Sequence, residues 1–301
     1  MKIGKTALKI AFHFVAKMDR KRMRSWPSID QYEHVLDIDA IGEGNFYHCF
    51  DVFYAPKDKR LGKTVFDIHG GAYIYGDRKN NFGFASVLLE KGYDVVLLDY
   101  EKNDGKRDCL GQVRTLVRQI QYIKDHEKEL NLNLEHAFIT GDSAGGHFAL
   151  FIAEIAANKD LSAQNGLYLN GISFKAIAVC CPVFDFRRAV GGSTMTAGAK
   201  RLMFGPRYQD EDYLKLLDVR AHYAELDIPV FVSSCVRDFL KQESFDLASE
   251  SKRNEKACTF LFIEDDDKLV DHVHNITEFR HPESIRVNDA IDAFFRKADG
   301  K

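Results

Sequence analysis

The stretch His136-Ala-Phe-Ile-Thr-Gly-Asp-Ser-Ala-Gly-Gly-His147 places a serine between two glycines, as Gly141-Asp142-Ser143-Ala144-Gly145. A serine hydroxyl attacks a carbonyl when a sharp turn exposes it and a neighbouring base takes its proton. Between a strand and a helix, the Gly-x-Ser-x-Gly spacing supplies that turn, because the residues two before and two after the serine must be small. The apolar run before Gly141 reads as a strand. Ala144–Ala157 reads as a helix that aims its positive dipole end at the hydroxyl. Alone, the pattern describes equally well a serine capping a helix after a glycine turn. Two further features decide for chemistry.

The first is the segment Asp67-Ile-His-Gly-Gly-Ala-Tyr-Ile-Tyr-Gly-Asp77, which follows a predicted strand. Acyl transfer builds negative charge on a carbonyl oxygen, and a glycine-rich turn can aim backbone N–H groups at it. One such donor is worth about 2.7–4 kcal/mol of barrier. Tyr73 and Tyr75 alternate with Ala72 and Ile74, so one face of the segment is a candidate lining for the acyl pocket. Core packing explains that alternation equally well. The second feature is chain order. Asp238 lies just past the run Val230–Cys235, and His272 follows Thr259–Ile263, in Asp271-His-Val-His274. Serine, acid and histidine in this order match the α/β-hydrolases and differ from the orders of the chymotrypsin and subtilisin types. Order and spacing do not separate His272 from His274.

The elements that must position these groups alternate along the chain. Predicted strands cover Glu33–Ile38, Tyr47–Tyr54, Thr64–His69, Asp94–Tyr100, His136–Thr140, Ala176–Cys181, Val230–Cys235 and Thr259–Ile263. The first two flank Gly42-Glu43-Gly44 as a hairpin. The later ones are continuous apolar runs, suited to a parallel sheet covered on both faces. Helices are predicted at Asn81–Lys91, Ala144–Ala157, Gln242–Lys252 and Pro282–Lys297. Another is predicted where Leu110, Val113, Val117, Ile120 and Ile123 recur at three- and four-residue steps. The alternation implies a mostly parallel sheet with right-handed crossovers. An insertion at 186–227 separates two core strands and begins in the small-residue loop 191–198, predicted to be mobile.

Composition narrows the function. The 301 residues are 45% hydrophobic and 29% charged, an ordinary globular mixture. A net charge of −3 lacks the basic footprint of a nucleic-acid binder. Apolar stretches such as Phe148–Ala157 are too short to span a bilayer. Six cysteines with no CxxC spacing, several inside apolar runs, read as reduced thiols in a cytoplasmic protein. The basic N-terminus does not read as a signal peptide, since Lys9, His13 and Lys17 interrupt its apolar segment. Ile3, Ala7, Ile10, Phe14 and Met18 form a stripe at helical period, expected to pack on the protein itself. A membrane-surface helix is the alternative. Asp265, Asp266 and Asp267 read as a solvated loop, Asp142 as a structural hydrogen-bonding group and His147 as packing.

GDSAGG, the HGGA loop, the strand-end Asp238 and the late histidine together resemble the bacterial hormone-sensitive-lipase-like esterases of the α/β-hydrolase superfamily. The likeness runs from about residue 60 to the end and includes Cys181-Pro-Val-Phe-Asp185, Phe204-Gly-Pro and Tyr213-Leu. It departs at Tyr100-Glu-Lys-Asn-Asp-Gly105, where relatives carry an Arg-Leu-Ala-Pro-Glu-like stretch near the pocket entrance. The resemblance implies one α/β-hydrolase domain over 1–301, with a mostly parallel eight-stranded sheet flanked by helices. A small helical cap would come from 1–30 and 186–227. It makes Ser143 the nucleophile, His272 the general base and acid, and Asp238 the residue orienting His272. His274 becomes an aromatic packing group. Gly71, Ala72 and Ala144 would offer oxyanion N–H groups, with Gly70 shaping the turn. No metal or organic cofactor is implied. The expected partner is a small-molecule ester, with a homodimer left open. The expected activity is hydrolysis of short acyl esters, acetyl groups on sugars included, because only short segments are available to roof the site. An amidase such as an arylformamidase and a silent hydrolase-fold binding protein are the alternatives. The GDSAGG spelling and N-terminal cap disfavour the first, and the full set of triad candidates disfavours the second.

Overall fold

Strands that are apolar on both sides need a helix layer on each face. The computed structural model, which describes residues 2–300, provides both layers. The strands are β1 (His34–Asp39), β2 (Cys49–Phe53), β3 (Thr64–Ile68), β4 (Asp94–Leu98), β5 (Ala137–Asp142), β6 (Phe174–Cys180), β7 (Val230–Cys235) and β8 (Cys258–Ile263). They form one sheet in the order β1-β2-β4-β3-β5-β6-β7-β8. β2 runs antiparallel to β1 and to β4, and every other pairing is parallel. All eight predicted strands are present with ends shifted by up to two residues. Tyr47, predicted in a strand, instead sits in a 3-10 turn, its N–H donating to the capping Asn45 side chain.

Alternation within each strand divides the core. Val65 and Val95 face one layer, with Phe84, Leu88, Val287, Ile291 and Phe295. Phe66 and Val96 face the other, with Val113, Val117, Ile120 and Phe148. The first layer contains α2 (Phe82–Glu90) and the helix Pro282–Ala298. The second contains α3 (Cys109–Asp125) and α4 (Ala144–Ala157). The predicted stripe Leu110, Val113, Val117, Ile120 and Ile123 is buried throughout.

The N-terminal segment forms α1 (Lys5–Met23), but rotated from expectation. Ile10, Phe14 and Met18 are 53%, 60% and 61% exposed. The half-buried side is Leu8, Phe12, Ala16 and Asp19. Packing of the Ile3–Met18 stripe on the protein is therefore corrected: periodicity finds an apolar face but not the direction in which the helix turns it. The insertion folds as the helices Phe186–Gly191, Ala197–Phe204, Glu211–Leu217 and Val219–His222. The loop predicted to be mobile is tied to the N-terminus. Ile3 N–H donates to Thr194 O at 2.8 Å and Thr196 N–H to Ile3 O at 2.9 Å. The divergent segment after β4 serves the same insertion, with Asn103 Nδ2 donating to Met203 O at 2.7 Å. Among the described residues, no helix is long and apolar enough to cross a membrane.

Candidate active site

Ser143 sits between β5 and α4 with φ 53° and ψ −118°, a conformation L-residues adopt only under constraint. The constraint is packing. A Cβ on Gly145 would collide with the carbonyl oxygens of Ile68 and His69, and one on Gly141 with the carbonyl of Gly145. The turn is stitched to the neighbouring strand by Ser143 N–H to Cys180 O (2.9 Å) and Val183 N–H to Ser143 O (3.2 Å). The small-residue requirement read from the spacing is thus a matter of crossing backbones.

Three chain segments meet at the serine. His272 Nε2 lies 3.0 Å from Ser143 Oγ, and His272 Nδ1 lies 2.7 Å from Asp238 Oδ1. A carboxylate only accepts, so Nδ1 carries the proton and Nε2 is left to accept from the serine hydroxyl. Asp238 is itself fixed by Ser234 Oγ at 2.6 Å and by Leu240 N–H at 2.8 Å. Burial would raise its carboxyl, but the hydrogen bond and positive field of His272 outweigh it, and the pKa lies below the ordinary value. His274 is elsewhere: it is buried, with Nδ1 at 2.8 Å from Ser284 Oγ. His147 packs inside, its Nε2 2.7 Å from Leu217 O.

The oxyanion candidates divide. Gly70 N–H is already committed to Asp142 Oδ1 at 2.9 Å, so it shapes the loop and is no donor to substrate. Gly71, Ala72 and Ala144 have N–H groups with no protein partner among the described residues. Ala72 and Tyr73 both have positive φ, which curls the loop as a nest of backbone amides. Two groups brace it: Asn81, which carried no sequence signal, and His69, the histidine of the HGGA loop. Asn81 Nδ2 donates to Asp142 Oδ1 (2.8 Å) and Asp67 Oδ2 (2.9 Å). Burial raises both carboxyls, Asp67 further because Asp142 is beside it. His69 links Gly70 O (2.6 Å) to Asp99 (3.2 Å) and stacks on Tyr100 at 4.4 Å.

A cavity of about 340 Å³ opens over Ser143. Tyr75 lines it, its hydroxyl held by Asp19 at 2.7 Å. Tyr73 does not, and its assignment as a substrate contact is corrected. It is 1% exposed, with its hydroxyl 3.1 Å from His147 Nδ1. The remaining walls come from places the motifs did not flag: Phe12, Val15 and Met18 on α1, Trp26 after it, and Phe239 beside the acid. Phe239 packs on the His272 ring at 4.2 Å. Cys181 Sγ lies within 4.8 Å of ligand atoms of Asp238 and His272, the one such cluster among the described residues. Both His272 nitrogens are already engaged, and burial pushes the Cys181 thiol well up. The donor set is poor for a metal.

Comparison with known proteins agrees with this fold. The BD-FAE family model matches residues 50–242. Among solved structures, inhibited esterase B from Lactobacillus rhamnosis is similar over 98% of this chain and 96% of its own, with TM-score 0.88 and 22% identity. A bacterial heroin esterase is similar over 99% and 94%, with TM-score 0.70 and 15% identity. In sequence, the probable carboxylic ester hydrolase LipM of Mycobacterium tuberculosis is 27% identical over 160 residues, 52% of this chain and 36% of LipM. The putative alpha/beta hydrolase R526 of Acanthamoeba polyphaga mimivirus is 23% identical over 46% of this chain and 40% of its own. The chain thus spans well under half the length of these curated relatives. Its own fold is the α/β-hydrolase fold.

Proposed function

This chain belongs to the BD-FAE family, and from that premise we propose that it is a serine carboxylesterase acting on short acyl esters. In this reading Ser143 attacks the ester carbonyl as His272 Nε2 takes the hydroxyl proton, and Asp238 stabilises the imidazolium that forms. The N–H groups of Gly71, Ala72 and Ala144 receive the oxyanion. His272 then gives its proton to the leaving alcohol. In the second half, water attacks the acyl-serine with His272 again as base, and the acid leaves.

The observation that carries the reading is His272 hydrogen-bonded to Ser143 on one side and Asp238 on the other. The chain-length reading is supported by the cavity of about 340 Å³, at the small end of ligand pockets, which run from about 300 to 1,000 Å³. Sugar acetates belong to the same class of small acyl group. Six unpaired thiols, five of them buried, suit a reducing compartment such as the cytoplasm.

A series of p-nitrophenyl esters from acetate to decanoate, with acetylated sugars beside it, tests the reading. Rates should fall as the chain lengthens. Ser143→Ala should lose at least about a thousandfold in turnover while keeping its thermal melt. A folded variant that retains more activity removes Ser143 as nucleophile, and rates rising steadily to decanoate remove the short-chain preference.

A further inference from the structure

We propose that the outer face of α1 docks on an anionic lipid–water interface. No residue of α1 is buried. At 3.6 residues per turn, Ala7, Ile10, Phe14 and Met18 fall on one stripe. Its three large side chains are more than half exposed. Lys9, Lys17 and Arg20 follow the stripe along one flank. On the other flank Val15 and Met18 reach the cavity over Ser143. Phe239, at the same mouth, is 76% exposed.

Charge identifies what covers this face. Eight Lys and Arg against one Asp give residues 1–24 a net +7, in a chain whose total is −3. Of those eight, only Arg22 has an ion-pair partner among the described residues. A helix that joins exposed large apolar side chains to unpaired cations, with low mean hydropathy, lies in the plane of a membrane surface. Each Lys or Arg there gains from a negative leaflet, within about a Debye length. A second copy of the chain would satisfy the apolar stripe but press two +7 helices together. An anionic surface satisfies stripe and cations at once. Delivery of an ester from that surface into the cavity rests on the proposed esterase activity; docking does not.

Co-sedimentation of the full chain with vesicles, in the absence of any ester, tests the proposal. The probes are phosphatidylcholine alone and an equal mixture of phosphatidylcholine and phosphatidylglycerol. Binding is expected to the mixture only, and to weaken as salt rises. Ile10→Ser/Phe14→Ser should weaken it about tenfold or more, and Lys9→Glu/Lys17→Glu/Arg20→Glu at least about 100-fold. Both variants should keep the wild-type thermal melt, since all five side chains are exposed. Equal binding to neutral vesicles, no binding to the mixture, or variants that bind like wild type would overturn the proposal. So would a dimer, seen by light scattering, that Ile10→Ser/Phe14→Ser dissolves. Loss of activity in Ser143→Ala bears only on the reaction, so the two readings fail separately.

Discussion

Every residue of β5 and β7, the strands that lead to Ser143 and Asp238, is buried, while α1, which walls the cavity opposite them, buries none. The deck beneath the substrate is over-determined by crossing backbones and polar anchors. The roof is held by one backbone bridge at Ile3, ring contact between Phe12 and Tyr75 at 5.6 Å, a hydrogen bond from the Tyr75 hydroxyl to Asp19 (2.7 Å) and an ion pair from Arg22 to Glu278 (2.9 Å). A reacting geometry tolerates displacements of only a fraction of an ångström, so it is built where packing is densest. Admission of a substrate needs only a surface of suitable shape and polarity. Substitutions in the deck should therefore act on turnover, and those in the roof on which ester is taken.

The sharpest test of the deck is His272→Ala, expected to lose about 10⁴-fold in kcat with little change in melt. Retention of most activity would move the base elsewhere and undo the division. Next in size is Asn81→Ala, which leaves two buried carboxyls without their shared donor and loosens the anchor of Gly70. Its expected cost is about 10- to 100-fold in kcat, below that of losing an oxyanion donor outright, with KM for a small ester unchanged. A fall in melting temperature with kcat intact would make Asn81 a packing residue only. In the roof, Phe12→Ala widens the cavity wall. It should shift the preferred acyl length upward, changing the butyrate-to-octanoate ratio of kcat/KM by about tenfold, since each buried methylene is worth about 0.8 kcal/mol. An unchanged ratio would mean that the roof does not select.

The same division governs what could be read from the sequence. Ser143, Gly141 and Gly145 were legible because the elbow is a local steric problem, solved within five residues. Tyr73 was misplaced because alternation is a strand rule. Ala72 and Tyr73 have φ of 50° and 67°, so the period of two breaks where the loop curls. Asn81 left no trace, since its two partners are 14 and 61 residues away. The same holds for Arg78, buried against Asp51 and Asp99 at 2.9 and 3.0 Å. For α1 the period was right and the facing wrong, because facing is set by Tyr75 and Glu278, remote in sequence.

The smallest expected effect on turnover comes from His274→Phe, two residues from the base. His274 is buried and bonded to Ser284, not to the triad, so kcat should stay within about threefold of wild type. Stability is where it acts. Burial first, and the neighbouring His281 second, lower its pKa to about 4. An unfolded histidine titrates near 6.5. Below that value the unfolded chain binds a proton that the folded site refuses, so the site's contribution is intact above about pH 6.5. It declines as pH falls toward about 4, by at most about 3 kcal/mol. His147, buried to the same effect with a pKa of about 4, adds a parallel decline. Phenylalanine does not titrate. The variant should give up about 1 kcal/mol at pH 7 from the lost hydrogen bond to Ser284, then lose less than wild type on acidification. Melting temperatures of both proteins from pH 7 to pH 4.5 should therefore converge or cross. Parallel curves would show that His274 is charged in the fold, and a collapse of kcat would return it to the active site.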